Sequence, residues 1–182
     1  DNDVSSRINS GAHHPNKDGR VRLYNAACIV QNGKWVKRIN ESTYLPEGIQ
    51  PKTLLPNYRF FDDQRYFFYF IDVAQYMGIP SEELAQPFEL TVKNKTYRIG
   101  LQVCEDLWCK DYRRKGQALN MSRYLIENGA ELIVNISASP WTNDKHDARD
   151  RRIQFLAKDV EQFVPFYYVN NVGPQNNGKN II

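Results

Sequence analysis

Little in this 182-residue chain suits an extracellular, membrane or nucleic-acid-binding protein. Its three cysteines, Cys28, Cys104 and Cys109, are an odd number and build no disulfide framework, which suits a reducing, cytoplasmic compartment. Cys104 and Cys109 have no neighbouring His or further Cys to complete a metal set. No apolar run approaches the ~18 residues that a membrane span needs, and the mean hydropathy is −0.63. A net charge of +3 with no Lys/Arg stripe argues against nucleic acid. The chain opens Asp1-Asn2-Asp3, with no basic stub and apolar run of the signal-peptide kind. Only three histidines occur, two of them in a polar lead-in. There is no G-x-S-x-G elbow and no Gly-rich phosphate loop.

What remains is a globular composition, 41% hydrophobic and 25% charged, of a length that suits one domain. Aromatics reach 13%, so the core is bulky. Residues 1–20 read as a mobile polar lead-in. Tyr24–Val30 reads as a buried strand. Asn32-Gly33 predicts a hairpin with Lys34–Ile39 as its alternating return strand. Residues 40–67, with Pro46, Pro51 and Pro56, form a long irregular crossing whose aromatic content argues for order. Phe88–Val92 and Tyr97–Val103 flank a second hairpin turn at Lys93–Thr96. Leu119–Asn128 reads as a helix closed by Gly129. Glu131–Ser137 is a continuous apolar strand suited to a sheet covered on both faces. His146–Phe163 carries Ile153, Leu156, Ala157, Val160 and Phe163 on one helical stripe, and a buried strand follows at Pro165–Val169. The alternation of strands and helices gives the α/β class.

Among residues able to do chemistry, Cys104 stands out. It ends the apolar strand Ile99–Val103 and precedes the acidic turn Glu105-Asp106. A nucleophile at a strand end points out of the sheet, and the next backbone N–H can face a developing oxyanion. The commoner fate of a free cysteine is that of a small buried hydrophobe, a role better suited to Cys28 and Cys109. Lys52, bounded by Pro51 and Pro56, can supply positive charge to a thiolate or an oxyanion, or simply snorkel at the surface. The Tyr58 hydroxyl suits either a ligand donor or a core partner. With histidine so scarce, the natural base for a cysteine nucleophile is a carboxylate, with a lysine holding the geometry.

Three blocks then give a resemblance. Lys52-Thr53-Leu54-Leu55-Pro56-Asn57-Tyr58 with Phe61-Asp62-Asp63-Gln64-Arg65-Tyr66-Phe67, Gly100-Leu101-Gln102-Val103-Cys104-Glu105-Asp106-Leu107-Trp108, and Asn135-Ile136-Ser137-Ala138-Ser139-Pro140-Trp141 occur in this order. Lys145 and Arg149 follow the third block. Tyr24–Ala27 and Val169–Gly173 fit flanking strands. Over roughly residues 21–175 the chain resembles the glutaminase domain of glutamine-dependent NAD synthetase, a member of the nitrilase (carbon–nitrogen hydrolase) superfamily.

The resemblance implies a partial nitrilase-like α-β-β-α sandwich over residues 21–182 and a Glu-Lys-Cys triad. It implies Cys104 as nucleophile and Lys52 as catalytic lysine. Tyr58, Ser139 and Lys145 fall on glutamine-binding positions, and Glu105 is a further contact for the substrate ammonium. It implies no cofactor or metal for this part, with ATP and deamido-NAD belonging to a synthetase domain elsewhere. Expected partners are glutamine, that synthetase domain and further copies in a homo-oligomer. Asp63 stands where the family pattern has Glu, one methylene longer. The general-base Glu is expected in a strand before Tyr24, yet residues 1–20 contain no Glu. The expectation is therefore a domain incomplete at both ends, breaking off inside a strand at Lys179–Ile182 and poorly active by itself. A stand-alone amidase acting on another amide, and a catalytically inactive binding or oligomerisation module, are the alternatives.

Overall fold

The computed structural model describes residues 23–42, 45–58, 61–111, 119–140 and 142–173. The polar lead-in, the terminal Lys179–Ile182 and Trp141 lie outside these residues. The fold is mixed α/β. Its centre is a four-stranded sheet of β5 (Phe88–Val92), β6 (Lys95–Val103), β7 (Leu132–Ser137) and β8 (Phe166–Asn170), in the order β5-β6-β7-β8. The β5–β6 pair is antiparallel, and β6–β7 and β7–β8 are parallel. Two short antiparallel ladders precede it. One joins β1 (Ala26–Ala27) to β4 (Gln50–Pro51), and the other joins β2 (Val30–Gln31) to β3 (Lys34–Trp35).

Both hairpins follow from residues that tolerate left-handed backbone. Asn32 and Gly33 have φ of 52° and 73°, and Lys93 and Asn94 have 47° and 62°, as a two-residue turn matched to strand twist requires. The second turn is thus two residues long, not four, and β6 begins at Lys95.

Parallel neighbours need crossovers, and helices supply them. Met121–Glu127 links β6 to β7, and Lys145–Lys158 links β7 to β8. The first starts where the Asn120 side chain accepts the Arg123 N–H, leaving Leu119 outside, and Gly129 with φ 92° closes its far end. It seats directly on β6 at Gly100. A Cβ there would lie 2.6 Å from Ile133 Cδ1 and 3.0 Å from Leu125 Cδ1.

The sheet divides two cores. On the helix face, Leu125, Ile133 and Leu156 join Phe70, Ile71, Val73, Leu84, Leu54 and Leu55. The Phe70–Met77 helix in this core, closed by Gly78 with φ 68°, escaped the sequence reading because eight residues carry barely two turns of periodicity. On the opposite face, Leu101 and Val103 of β6 pack with Phe88 and Ala27, beneath Ile29 and Val36. The two short ladders therefore begin a second β layer over β6.

Several strand and helix expectations need correction. Tyr24–Val30 is not one buried strand. It splits into β1 and the start of β2, with Cys28 exposed between them, so only Cys109 is the buried apolar cysteine. The return strand stops at Trp35, because Arg38 turns inward to pair with Glu41 at 2.9 Å. β7 and β8 are not covered on both faces: Ile136, Tyr167 and Val169 expose their side chains where the second layer does not reach. The last helix ends at Lys158, so Val160 and Phe163 lie beyond it. Phe163 instead stacks on Phe166 across the approach to Pro165, where α backbone is disfavoured.

Candidate functional site

Three loops meet at the C-terminal ends of β6 and β7. The first begins at Cys104, whose φ of +48° is left-handed. For a residue with a Cβ that costs roughly 1–2 kcal/mol, so surrounding contacts must hold it. They are visible. Asn135 Nδ2 donates to the Cys104 carbonyl at 3.3 Å. Residues Cys104–Asp111 then form two 3₁₀ turns meeting at Trp108. The Cys104 side chain is half-buried, neither sealed in the interior nor free in solvent.

Asp106 ties this turn to the second loop. Its Oδ1 accepts the Thr53 N–H at 2.9 Å, the Thr53 hydroxyl at 2.7 Å and the Leu54 N–H at 2.9 Å. Its Oδ2 accepts the Val103 N–H at 2.9 Å. Burial pushes the Asp106 carboxyl pKa up, against the pull of these donors and of the Lys52 charge. One carboxylate thus fixes the residues after Lys52 against the residue before Cys104.

Lys52 follows β4, and its own N–H donates to the Asn25 carbonyl at 2.7 Å. Its side chain is buried at 5% exposure, and its ammonium donates to Asp63 Oδ2 at 2.6 Å. Aspartate, one methylene shorter than the Glu that the resemblance leads one to expect there, reaches the lysine. The Cys104 thiol feels three environments. Burial pushes its pKa up most strongly, the Lys52 charge pulls it down, and the Glu105 carboxylate pushes it up again. Smaller contributions from the Ser137 side chain and the Ala138 N–H also lower it.

Glu105 is buried, and the Tyr58 hydroxyl donates to its Oε1 at 2.8 Å. The tyrosine itself remains partly exposed, so this contact lies at the lip of the site. The third loop follows β7. Ser139 is buried, with its N–H donating to Asn170 Oδ1 at 2.9 Å and its carbonyl accepting Asn170 Nδ2 at 3.1 Å. Lys145 opens the last helix, and its ammonium sits 4.5 Å from the Trp108 ring centroid, with Arg152 5.2 Å from the same ring.

The structure therefore brings Cys104 within electrostatic reach of Lys52, joins Glu105 to Tyr58, and sets Lys145 against the Cys104–Asp111 segment. Ser139 is instead held to Asn170 on the loop that follows β7. Sequence reasoning gave no role to Asp106, Asn135, Ser137 or Asn170. Asp106 had a signal, a carboxylate directly after an apolar strand. Asn135 and Ser137 had one too, two polar residues at a two-residue step inside an otherwise apolar run.

Fold and site together define a mixed α/β protein in which a cysteine turn and a lysine loop are tied together by Asp106 at the strand ends. No family model matches the chain. It is 31% identical over 163 residues to the glutamine-dependent NAD(+) synthetase of Synechocystis sp., covering 88% of this chain and 24% of that protein. The enzyme of the same name from Aquifex aeolicus is 30% identical over 154 residues, 85% of this chain and 21% of the relative. That of Thermotoga maritima is 31% identical over 160 residues, 87% and 21%. Along most of its own length, the chain is similar to glutamine-dependent NAD(+) synthetases. It spans about a quarter or less of the length of these relatives. No helix of the described residues is long and apolar enough to cross a membrane.

Proposed function

We propose that this chain carries the glutamine-hydrolysing centre of a glutamine-dependent NAD(+) synthetase. The observation that carries the reading is the strand-end Cys104, held in left-handed backbone on a turn that the buried Asp106 ties to the residues following the buried Lys52, whose charge it feels. The names of the relatives supply the substrate class.

The thiolate of Cys104 attacks the side-chain amide carbon of glutamine. The carbonyl oxygen becomes an oxyanion, which the Lys52 ammonium and the Glu105 N–H stabilise. Each such donor is typically worth ~3–4 kcal/mol. The C–N bond breaks, the nitrogen takes a proton and leaves as ammonia, and a γ-glutamyl thioester remains on sulfur. Water then attacks the thioester, releasing glutamate and restoring the thiol. Asp63 anchors the ammonium so that it meets the oxyanion at a fixed angle. Tyr58 orients the Glu105 carboxylate toward the substrate ammonium, and Ser139 and Lys145 complete the cradle. The proton acceptor is the Glu that the resemblance expects before Tyr24; residues 1–20 of this sequence contain none. Such proton transfer is worth ~10²–10⁴ in rate, so the activity belongs to the intact protein. There the ammonia passes to a synthetase domain that uses ATP to amidate deamido-NAD.

Cys104→Ala in the intact protein tests this. Ammonia release from glutamine is expected to vanish, while NAD synthesis from added ammonia continues. Glutamine hydrolysis at the wild-type rate in this variant refutes the assignment. A covalent test is independent of turnover: a glutamine-analogue electrophile is expected to label Cys104 before Cys28 or Cys109.

A further inference from the structure

Asn135 of β7 lies opposite Gln102 of β6, and its amide is held at both ends. Its Oδ1 accepts the Ser137 hydroxyl at 2.7 Å. Its Nδ2 faces two acceptors, Gln102 Oε1 at 3.5 Å and the Cys104 carbonyl at 3.3 Å. Gln102 is fixed in turn, because its Nε2 donates to Ser122 Oγ at 2.7 Å on the 121–127 helix. Gln102, Asn135 and Ser122 are buried, so solvent does not compete for these groups. An amide whose oxygen and both N–H bonds are directed in this way has one orientation.

The Cys104 carbonyl shares one planar unit with the Glu105 N–H. That peptide is trans, so the two bonds point in opposite directions. Whatever fixes the carbonyl therefore fixes the N–H, which is the backbone donor assigned above to the oxyanion. The need for a clamp is local. With φ at +48°, Cys104 rests only where neighbours hold it, and relaxing that strain would turn the same peptide. A hydrogen bond accepted at the carbonyl also polarises the amide and strengthens its N–H as a donor. We propose that Asn135 is a positioning residue for the oxyanion donor: by holding the Cys104 carbonyl, it aims the Glu105 N–H at the developing charge. It acts through the peptide and not on the substrate. The role rests on Cys104 being the nucleophile of the proposed reaction.

The experiment uses the intact protein and two probes that differ in their need for the oxyanion donor. Glutaric semialdehyde has the carbon chain of glutamine and lacks the α-amine, so it does not cyclise. The thiolate adds to its aldehyde carbon, the C–S bond forms, and the carbonyl oxygen takes the charge and then a proton. Iodoacetamide alkylates the same sulfur with loss of iodide, and no oxyanion forms. Asn135→Leu keeps the volume and removes the donor, and Asn135→Ala removes both. In each variant the aldehyde is expected to bind more weakly on the order of tenfold or more, and kcat for glutamine falls by a similar factor while KM holds. Iodoacetamide alkylation of Cys104, read by peptide mass spectrometry, falls much less. Exposed Cys28 calibrates the reagent, and Cys109, at 2% exposure, stays protected while the fold is intact. Unchanged aldehyde binding overturns the proposal, and so do equal falls in aldehyde binding and alkylation. Loss of Cys109 protection in both variants overturns it as well, since Asn135 then props the fold as a whole. Cys104→Ala is run alongside. If that variant still hydrolyses glutamine, the glutaminase reading fails; if it does not, and the Asn135 variants bind the aldehyde like wild type, only the positioning role fails.

Discussion

Asp106 gives the sharpest test of how the site is assembled, because one carboxylate bridges the lysine loop and the cysteine turn. Asp106→Ala removes the acceptor of three backbone N–H groups, those of Thr53, Leu54 and Val103, and of the Thr53 hydroxyl. A buried N–H left without a partner costs roughly 1–3 kcal/mol, so three cost about 3–9 kcal/mol. Burying the carboxylate itself is expensive by several kcal/mol, and its removal returns part of that. The net local loss is on the order of 2–5 kcal/mol, a large share of the roughly 5–15 kcal/mol that holds a typical domain. Asp106→Asn is milder. Its oxygen can keep the three Oδ1 bonds, and only the Val103 N–H meets an NH₂ in place of an acceptor, at about 1–3 kcal/mol. Amide hydrogen exchange reads each site separately, with about 1.4 kcal/mol per tenfold in rate. The alanine variant is expected to lose protection at Thr53, Leu54 and Val103, and the asparagine variant at Val103 alone. Unchanged protection of Thr53 and Leu54 in Asp106→Ala refutes the bridge. So does equal damage from the two substitutions.

The remaining expectations concern the thiol and the sheet. Because burial raises the Cys104 pKa, its iodoacetamide reaction is expected to be slow at neutral pH beside that of Cys28, rising only above the ordinary thiol range. The same shift has a stability sign. A raised folded pKa contributes stability that is complete below the unfolded thiol pKa and lost as pH climbs through the folded value. Cys104→Ser should therefore flatten the alkaline fall of the denaturation midpoint, and an unchanged fall contradicts it. Lys52→Met removes the charge that opposes burial, so Cys104 alkylation is expected to slow on the order of tenfold at fixed pH; an unaffected rate places the ammonium too far away to matter. Gly100→Ala forces a Cβ against Ile133 and Leu125, at a cost of about 1–3 kcal/mol in a thermal melt. A melt indistinguishable from wild type means the 121–127 helix does not seat there.

Much of the central sheet was legible because its physics is local. The positive-φ turn at Lys93-Asn94 and the apolar runs at β6 and β7 announce themselves in a few consecutive residues, as the Asn32-Gly33 turn does for the β2–β3 ladder. The exposed side chains of β8 were not legible. A run such as Phe166-Tyr167-Tyr168-Val169 looks apolar throughout, and whether Tyr167 and Val169 are covered depends on a distant layer. The first buried strand failed for a related reason. Ala26 and Ala27 pair with β4 while Val30 pairs with β3, and nothing within Tyr24–Val30 marks the change of partner. At the site, Lys52 and Cys104 were nameable from their motifs. The pairing of Lys52 with Asp63 and the bonds of Asp106 to the neighbouring Val103, Thr53 and Leu54 N–H groups were not, because nothing in the order of residues says which polar groups will converge.

The way the site is built explains why sequence patterns reveal its chemistry better than its scaffold. Each loop is pinned by a buried polar side chain bonding to backbone: Asp106 to Thr53 and Leu54, Asn135 to Cys104, Asn170 to Ser139. Apolar packing alone tolerates small slides, because dispersion and the hydrophobic effect are nearly directionless. Hydrogen bonds in a buried setting are directional and costly to leave unmade, so they fix a loop to within a few tenths of an ångström. A centre in which a thiol, an ammonium and an amide carbon must meet at about 3 Å needs that precision. The same bonds hold Cys104 in a backbone conformation that it would otherwise leave, so the strain at the cysteine and the polar pins around it are one device. Releasing any single pin is therefore expected to disturb the thiol before it disturbs the fold.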